Sequence, residues 1–248
     1  MIRWHCHNLF HRMPAGASVG GTAVVIDVLR ASTTMVTALA HGAARVVPVA
    51  GIDEARRMAA ALGAGVLLGG ERGGVRIPGF DLGNSPLEYS AERVARRTVV
   101  LTTTNGTAAL HASRDAREIV VGAIVNRTAV AAAVRRLAGR AMPVHLVCAG
   151  TDGAVSAEDV LAAGAILDAA SVAGPRDELD AAAHEALAFY RRVAAAADVP
   201  AALVREFSLS PGGANLVALG MEADLPVAAA IDSLAAVPRF DPASGSLF

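Results

Sequence analysis

The chain contains no lysine. Its 248 residues carry 22 cationic side chains, all arginine, against 23 acids, for a formal net charge of -1. That absence removes chemistry. A Walker-type phosphate loop needs its lysine, and Schiff-base catalysis needs a lysine amine. Arginine does not deprotonate in a protein, so none of these cations serves as a general base; what arginine does well is hold planar anions through paired hydrogen bonds. A GC-rich genome is the simplest account of the arginine and alanine totals, so only the placement of individual arginines carries information.

Other scarcities narrow the class further. Two cysteines, Cys6 and Cys148, make neither a disulfide framework nor a cysteine-rich zinc site. One tryptophan and two tyrosines leave little material for stacking bases, and near-neutral charge gives no reason to expect nucleic acid or an anionic membrane as partner. The segment Met1 to Arg12 lacks the apolar core of a signal peptide, and no uninterrupted apolar run reaches the ~18 residues of a membrane span. The expectation is a soluble cytoplasmic protein. Hydrophobic residues make up 54% and charged residues 18%, which fits a globular chain with a sizeable core, as one large domain or two small ones.

Short apolar, β-branched runs alternate with alanine-rich stretches. Strands are expected at Thr22 to Val28, Arg45 to Ala50, Val66 to Leu68, Thr98 to Thr102, Ile119 to Val121 and Pro143 to Cys148. Helices are expected at Thr33 to His41, Asp53 to Leu62, Gly106 to Ser113, Arg127 to Ala138 and Ala157 to Ala170. This repetition implies an α/β fold, three layers α/β/α, with a mainly parallel sheet covered on both faces. After Pro175 the chain reads as helical, with one long helix from Glu178 to Ala197 and shorter ones at Pro200 to Phe207 and Gly213 to Leu219. A single domain over 1–248 is expected; the Gly174-Pro175 break near 172–178 is either a subdomain boundary or a turn before a covering helix. The alanine-rich C-terminal helices offer material for a homo-oligomer interface.

The polar motifs are informative by position. Strands end in Asp27 to Thr34, in Gly69 to Gly74 followed by a loop through Pro86, in Thr102 to Thr107, at Asn126, and in Cys148 to Gly153 followed by Ser156 to Asp159. In a parallel sheet these ends share one edge, the edge where α/β sheets bind ligands. Helix N-termini there suit phosphate-like anions, helped by the turn Thr104-Asn105-Gly106-Thr107. Asp27, Glu71, Asp81, Glu158 and Asp159 offer hard oxygen ligands for Mg²⁺. Anion donors beside metal-binding acids suggest phosphoryl chemistry. Each has a bland alternative: Ser156 with Asp159 resembles a capping box, Arg30 suits an ion pair with Asp27, and Glu71-Arg72 sits among glycines fit for a tight turn.

Familiar phosphatase signatures fail. The cysteine-phosphatase spacing places Ala154 where Cys148 would need arginine; Cys6 and Arg12 match the spacing, but no glycine lies between them. The haloacid-dehalogenase pattern needs a second aspartate where Leu29 stands, and a lysine. His5, Cys6, His7 and His11 read as an extended N-terminal strand rather than a zinc cluster, and histidines 41, 111, 145 and 184 as structural.

Taken together, Asp27 to Thr34, Gly70 to Pro86 with its core Pro78-Gly79-Phe80-Asp81-Leu82-Gly83-Asn84-Ser85, Thr102 to Thr107, Cys148 to Gly164 and Gly212-Gly213-Ala214-Asn215-Leu216 resemble the 2-phosphosulfolactate phosphatase family. Leu219-Gly220, Asp224-Leu225 and the Asp232 to Pro238 ending are similar too, so the resemblance spans roughly residues 20 to 240. It implies a distinctive α/β fold and a Mg²⁺-dependent hydrolase that cleaves 2-phospho-3-sulfolactate to 3-sulfolactate and phosphate, a step toward coenzyme M in some organisms. The stretch Arg3 to His7 is not part of the resemblance.

A substrate bearing phosphate, carboxylate and sulfonate needs several cationic or N–H donors. Arg30, Arg72 and Arg76 are the candidates for those anions, with Asn84, Thr104, Asn105, Gly106, Thr107 and Asn126 as further substrate-binding residues. Asp27, Asp81, Glu158 and Asp159 are the candidate metal ligands, and Asp27 and Glu71 the candidate catalytic groups. Two routes stay open. Water attacks in line, positioned by Glu71 or another carboxylate, or Asp27 attacks phosphorus to give an aspartyl phosphate. The competing functions are another metal-dependent enzyme acting on small phosphorylated acids, and a non-catalytic anion-binding module.

Overall fold

The computed structural model describes residues 1–138, 142–171 and 177–248. In chain order its elements are β1 (Ile2–His7), β2 (Thr22–Ile26), α1 (Ala31–Ala40), β3 (Arg45–Pro48), α2 (Ile52–Leu62), β4 (Leu67–Arg72), β5 (Val75–Arg76), α3 (Ala91–Val94), β6 (Thr98–Thr102), α4 (Gly106–Ala112), β7 (Glu118–Gly122), α5 (Arg127–Ala138), β8 (Val144–Cys148), α6 (Ala157–Ala169), β9 (Asp177–Leu179), α7 (Ala181–Ala194), α8 (Val199–Leu209), α9 (Pro211–Ala218), α10 (Asp224–Ala228), β10 (Phe240–Asp241) and β11 (Ser246–Leu247). Among these, no helix is long and apolar enough to cross a membrane.

The fold is α/β with mainly parallel pairing, and the strands divide between two sheets. The first has the order β7-β2-β8-β1-β9 and is parallel throughout; the second has the order β10-β11-β3-β6-β4-β5, with β3, β6 and β4 parallel. Strands buried on both faces are near-continuously apolar, and β2 (Thr-Ala-Val-Val-Ile) is the extreme case, buried at every position. Side-chain alternation along it feeds two cores. Val24 and Ile26 meet residues of α5, α6 and α7, whereas Ala23 and Val25 meet α1 and α4. The second sheet does the same: Val99 and Leu101 of β6 face α1 and α4, and Val100 faces α2. Each sheet is thus the middle of an α/β/α sandwich, and the two share the layer made by α1 and α4.

Three expectations need adjusting. The strand expected to end at Leu68 runs on through Glu71 and Arg72. Its glycines are demanded by crowding rather than by a turn: a Cβ at Gly69 would fall on the Tyr89 hydroxyl, and one at Gly70 on the Thr102 carbonyl. The long helix expected from Glu178 begins instead at Ala181, because Asp180 caps it by accepting from Ala183 N at 2.8 Å. Asp177–Leu179 adds to β1 as a parallel edge strand, held by Trp4 Nε1 (3.2 Å) and Arg135 (2.8 Å) on the Asp177 carboxylate. Most of the expected break near 172–178 lies outside the described residues. The C-terminal helices pack closely: a Cβ at Gly164 of α6 would strike the Ala186 carbonyl of α7.

Of the N-terminal cluster, His5, Cys6 and His7 lie on the extended strand β1, whereas His11 falls in a single helical turn, Phe10–Arg12; His5 and His7 meet His145, which spacing had left isolated. His7 Nε2 and His145 Nδ1 are 3.0 Å apart, and the rings of His5 and His145 lie nearly parallel with centroids 5.0 Å apart. Burial, and then the His7 and His5 charges, push the His145 pKa down to about 4 from an ordinary 6.5. The folded protein therefore binds fewer protons than the unfolded chain between those values. Stability from this group is full above the unfolded value and is lost as pH falls toward the folded one. The melting temperature of the parent protein, compared with His145→Gln, is expected to drop between about pH 7 and about pH 4; a difference that stays constant with pH would refute this.

Candidate functional site

Asp27 directly follows β2 and is 7% exposed. Its Oδ1 accepts from Ala31 N at 3.1 Å, and its backbone N–H donates to Ser32 Oγ at 2.9 Å. Oδ2 has no hydrogen-bond partner among the described residues. It faces a cavity of about 120 Å³ at the seam between the sheets. Residues beyond β2 and β8 (Asp27, Leu29, Arg30, Thr151, Asp152) line it from one side, and Glu71 of β4 with Thr103, Thr104 and Asn105 beyond β6 from the other. Gly73 and Gly74, Asn84, and Gly212, Asn215 and Leu216 of α9 complete the wall. Gly106 lets α4 come this close: a Cβ there would stand 2.6 Å from Ala31 Cβ and 2.8 Å from Asp27 Oδ2.

The acids around Asp27 divide into those already engaged and those with capacity left. Glu71 Oε1 accepts from both Thr104 N (2.9 Å) and Thr104 Oγ1 (3.0 Å), and Oε2 from Gly74 N (2.8 Å). Each carboxylate oxygen accepts about two bonds, so one position on Oε2 remains. Asp159 straps two strand ends together, with Oδ1 on Val28 N at 2.8 Å and Oδ2 on Gly150 N at 2.9 Å. Glu158 is 1% exposed and its Oε2 has no partner among the described residues. Burial raises the pKa of all three of Asp27, Glu158 and Asp159. For Asp27 the value reaches about 7, with the Glu71 and Glu158 charges adding to burial, and the Ala31 N–H and Arg30 opposing it. Burial thus disfavours the ionised forms of these acids, and a bound cation would restore them. Among the described residues no three His, Cys, Asp or Glu side chains converge on one point. One or two carboxylates with water and substrate oxygens are what Mg²⁺ ordinarily takes. Asp27, with an unclaimed oxygen and a place in the cavity wall, is the side chain that fits that role; Glu158 also has an unclaimed oxygen but lies behind the wall.

Several expected residues lie elsewhere. Arg30 lines the cavity but is ion-paired with Asp224 at 2.8 Å, both side chains 3% exposed. Arg72 turns away, donating to Ala50 O, Thr102 Oγ1 and Glu71 O; it follows Glu71 on one strand, so the two side chains leave opposite faces. Arg76 is exposed on β5, 4.0 Å from Glu88. Asp81 is exposed and accepts from Leu68 N. Asn126 spends its amide on Ala123 N, Val121 O and Ala236 O. Thr107 turns inward to Thr103 Oγ1. These placements correct the expectation that Arg72, Arg76, Asn126 and Thr107 face a ligand here and that Asp81 joins the metal ligands. Glu158 and Asp159 lie behind the lining rather than in it.

Asn84 does line the cavity, with its Oδ1 buried and without a partner among the described residues, and Thr104 and Asn105 line it too. Thr151, Asp152 and the α9 residues Gly212, Asn215 and Leu216 also line the cavity, beyond the residues expected from the motifs. The Gly212-Gly213 pair was a usable signal: a Cβ at Gly212 would stand 2.8 Å from Glu158 Oε1, so this glycine lets the first turn of α9 pass over a buried acid.

Comparison with known proteins agrees with the motifs. Residues 9–242 match the sequence family described as 2-phosphosulpholactate phosphatase. A protein of Deinococcus radiodurans is 43% identical over 221 residues, covering 89% of this chain and 88% of its own. One from Symbiobacterium thermophilum is 42% identical over 233 residues (92% and 94%), and one from a Synechococcus strain 42% over 233 residues (93% and 93%). All three are named "Probable 2-phosphosulfolactate phosphatase".

The close approach at Gly106 gives a direct test. Gly106→Ala is expected to cost about 1–3 kcal/mol of stability, as overpacking does. It also presses on Asp27 Oδ2. A denaturant midpoint equal to the parent's would show that α4 does not need this contact.

Proposed function

Since the chain belongs to the 2-phosphosulfolactate phosphatase family, whose members are phosphoric monoester hydrolases, we propose that it hydrolyses 2-phospho-3-sulfolactate to 3-sulfolactate and inorganic phosphate with Mg²⁺ as its metal. The observation that carries this reading is Asp27, a buried carboxylate with one oxygen open to a cavity rimmed by helix starts.

Asp27, backed by Glu158, would hold Mg²⁺ together with water and substrate oxygens, and the bound ion would supply charge neutralisation for a phosphoryl group among acids. The rest falls to the chain. Asn105 and Gly106, at the start of α4, offer backbone N–H groups to phosphoryl oxygens, whereas Thr107 N already donates to Thr103 Oγ1. Glu71 orients the attacking water through the position left on Oε2, while its other bonds fix the Thr104 and Gly74 backbones at the correct distance. That favours water attack over an aspartyl phosphate: an anionic nucleophile hemmed in by Glu71, Glu158 and Asp159 approaches an anionic phosphate against added repulsion. Arg30 meets an anionic group of the acid portion. Asn84, Thr104, Asn105 and Asn215 meet the remainder.

One observation favours a second reading, hydrolysis of a different small phosphorylated acid. Arg30 is the one arginine in the described lining, and Asp224 already neutralises it. A substrate with fewer anionic groups asks less of this site. The experiment is phosphate release from 2-phospho-3-sulfolactate, phosphoglycolate and phospholactate, with Mg²⁺ or with a chelator. The expected result is Mg²⁺-dependent turnover with the highest kcat/KM on 2-phospho-3-sulfolactate. Asp27→Asn is expected to lower kcat by roughly 10²–10³. Near-normal turnover in that variant removes Asp27 from the mechanism, and a better substrate in the panel replaces the first reading with the second.

A further inference from the structure

One side chain outside the cavity holds one residue of its wall, Arg30, and the chain neighbour of another, Asn84. Asp224 is absent from the lining. Its Oδ2 accepts from Arg30 Nη1 at 2.8 Å, across 194 positions of sequence, and its Oδ1 accepts from Ser85 Oγ at 2.5 Å. The other terminal nitrogen of Arg30 donates to Gly74 O at 2.6 Å, and Met221 Sδ lies 3.1 Å from Nη1. Ser85 follows Asn84, whose carbonyl accepts from Thr34 Oγ1 at 2.7 Å and whose side-chain oxygen is buried without a partner.

Asp224 is the only charged acceptor in this set. A guanidinium makes its strongest bonds to carboxylates, and a carbonyl and a thioether cannot compete. The carboxylates next available are those of the cavity. The Arg30 charge already reaches Asp27, where it offsets part of the effect of burial. Released from Asp224, Arg30 would swing toward Asp27 and Glu71 and occupy the space an anionic ligand needs. Resting on the phosphatase reading above, we infer that Asp224 is the positioning residue of this site: it keeps Arg30 turned to the substrate's anionic group and, through Ser85, sets the Asn84 amide.

Three variants of the full chain separate positioning from mere support. Ser85→Ala cuts one arm and leaves the ion pair intact. Asp224→Asn keeps the shape, its amide oxygen accepting from Arg30 and its NH₂ donating to Ser85 Oγ. Asp224→Ala removes both arms. For each, kcat and KM are measured separately with Mg²⁺, together with the melting temperature and the dissociation constant for inorganic phosphate by calorimetry. Ser85→Ala is expected to raise KM about threefold to tenfold at near-parental kcat and melting temperature. Asp224→Ala is expected to lose about a hundredfold in kcat/KM, and Asp224→Asn to recover most of it. Should Asp224→Ala fail to fold, the other two variants decide. A Ser85→Ala protein with parental KM and parental phosphate affinity overturns the proposal. So does an Asp224→Ala protein whose activity falls only with its folded fraction. If the parent protein turns over no phosphorylated acid, the phosphatase reading fails instead, and phosphate affinity across the variants still tests the positioning role.

Discussion

The burial of acids at the seam between two sheets is the constraint on which the other features depend. Asp27, Glu71, Glu158 and Asp159 are each at most 7% exposed. A carboxylate taken out of water is costly unless donors replace the hydration it loses. The chain answers with backbone. Ala31 N serves Asp27, Thr104 and Gly74 serve Glu71, and Val28 and Gly150 serve Asp159. These bonds run in both directions: the acid is stabilised, and the loop that supplies the N–H is fixed. Asp159 thereby ties the ends of β2 and β8 within the first sheet, and Glu71 ties the β4–β5 turn to the loop beyond β6 in the second. The loops around the cavity are ordered by the groups they enclose.

That arrangement requires backbone to come nearer to side chains than a Cβ permits. Gly106 beside Asp27 and Gly212 beside Glu158 are both sites where a methyl group would stand 2.8 Å from a carboxylate oxygen. Two helix starts, from α4 in the shared middle layer and α9 in the C-terminal helical segment, are thereby brought to Asp27 and to Glu158 respectively. The partial positive charge of a helix start offsets part of the repulsion among those acids. The same packing places Asn105 and Gly212, at the starts of α4 and α9, in the cavity wall.

The strands were legible because they are buried on both faces and therefore near-uniformly apolar; β6 and α5 fall on the expected residues. The three-residue β9 and the two-residue β10 and β11 carry no such run. Division into two sheets was illegible for a different reason. It depends on which strands pair, β4 with β6 but β2 with β7 and β8, and that follows from tertiary contacts through α1 and α4. At the site, motif position located Asp27, Arg30, Glu71, Asn84, Thr104 and Asn105 in the cavity wall. It could not tell Glu71 from Arg72, because adjacent strand residues point to opposite faces and the motif does not say which face is inside. Nor could it see that Asn126 satisfies its own turn, or that Asp224 answers Arg30 across most of the chain.

The absence of lysine reads differently at Arg30 than over the whole chain. Arg30 is 4% exposed and must serve Asp224 and Gly74 from two nitrogens at once. A planar fork with fixed N–H directions meets both acceptors and stays charged; an ammonium carries no such geometry and loses its proton readily when buried. Genomic bias accounts for 22 arginines, but it does not account for one of them being buried between an aspartate and a glycine carbonyl at the edge of a cavity full of acids. With that charge already balanced by Asp224, the cavity as a whole remains acidic. An anionic ligand entering beside these acids meets repulsion that Arg30 alone offsets only in part, and that is the physical ground on which the proposed metal rests.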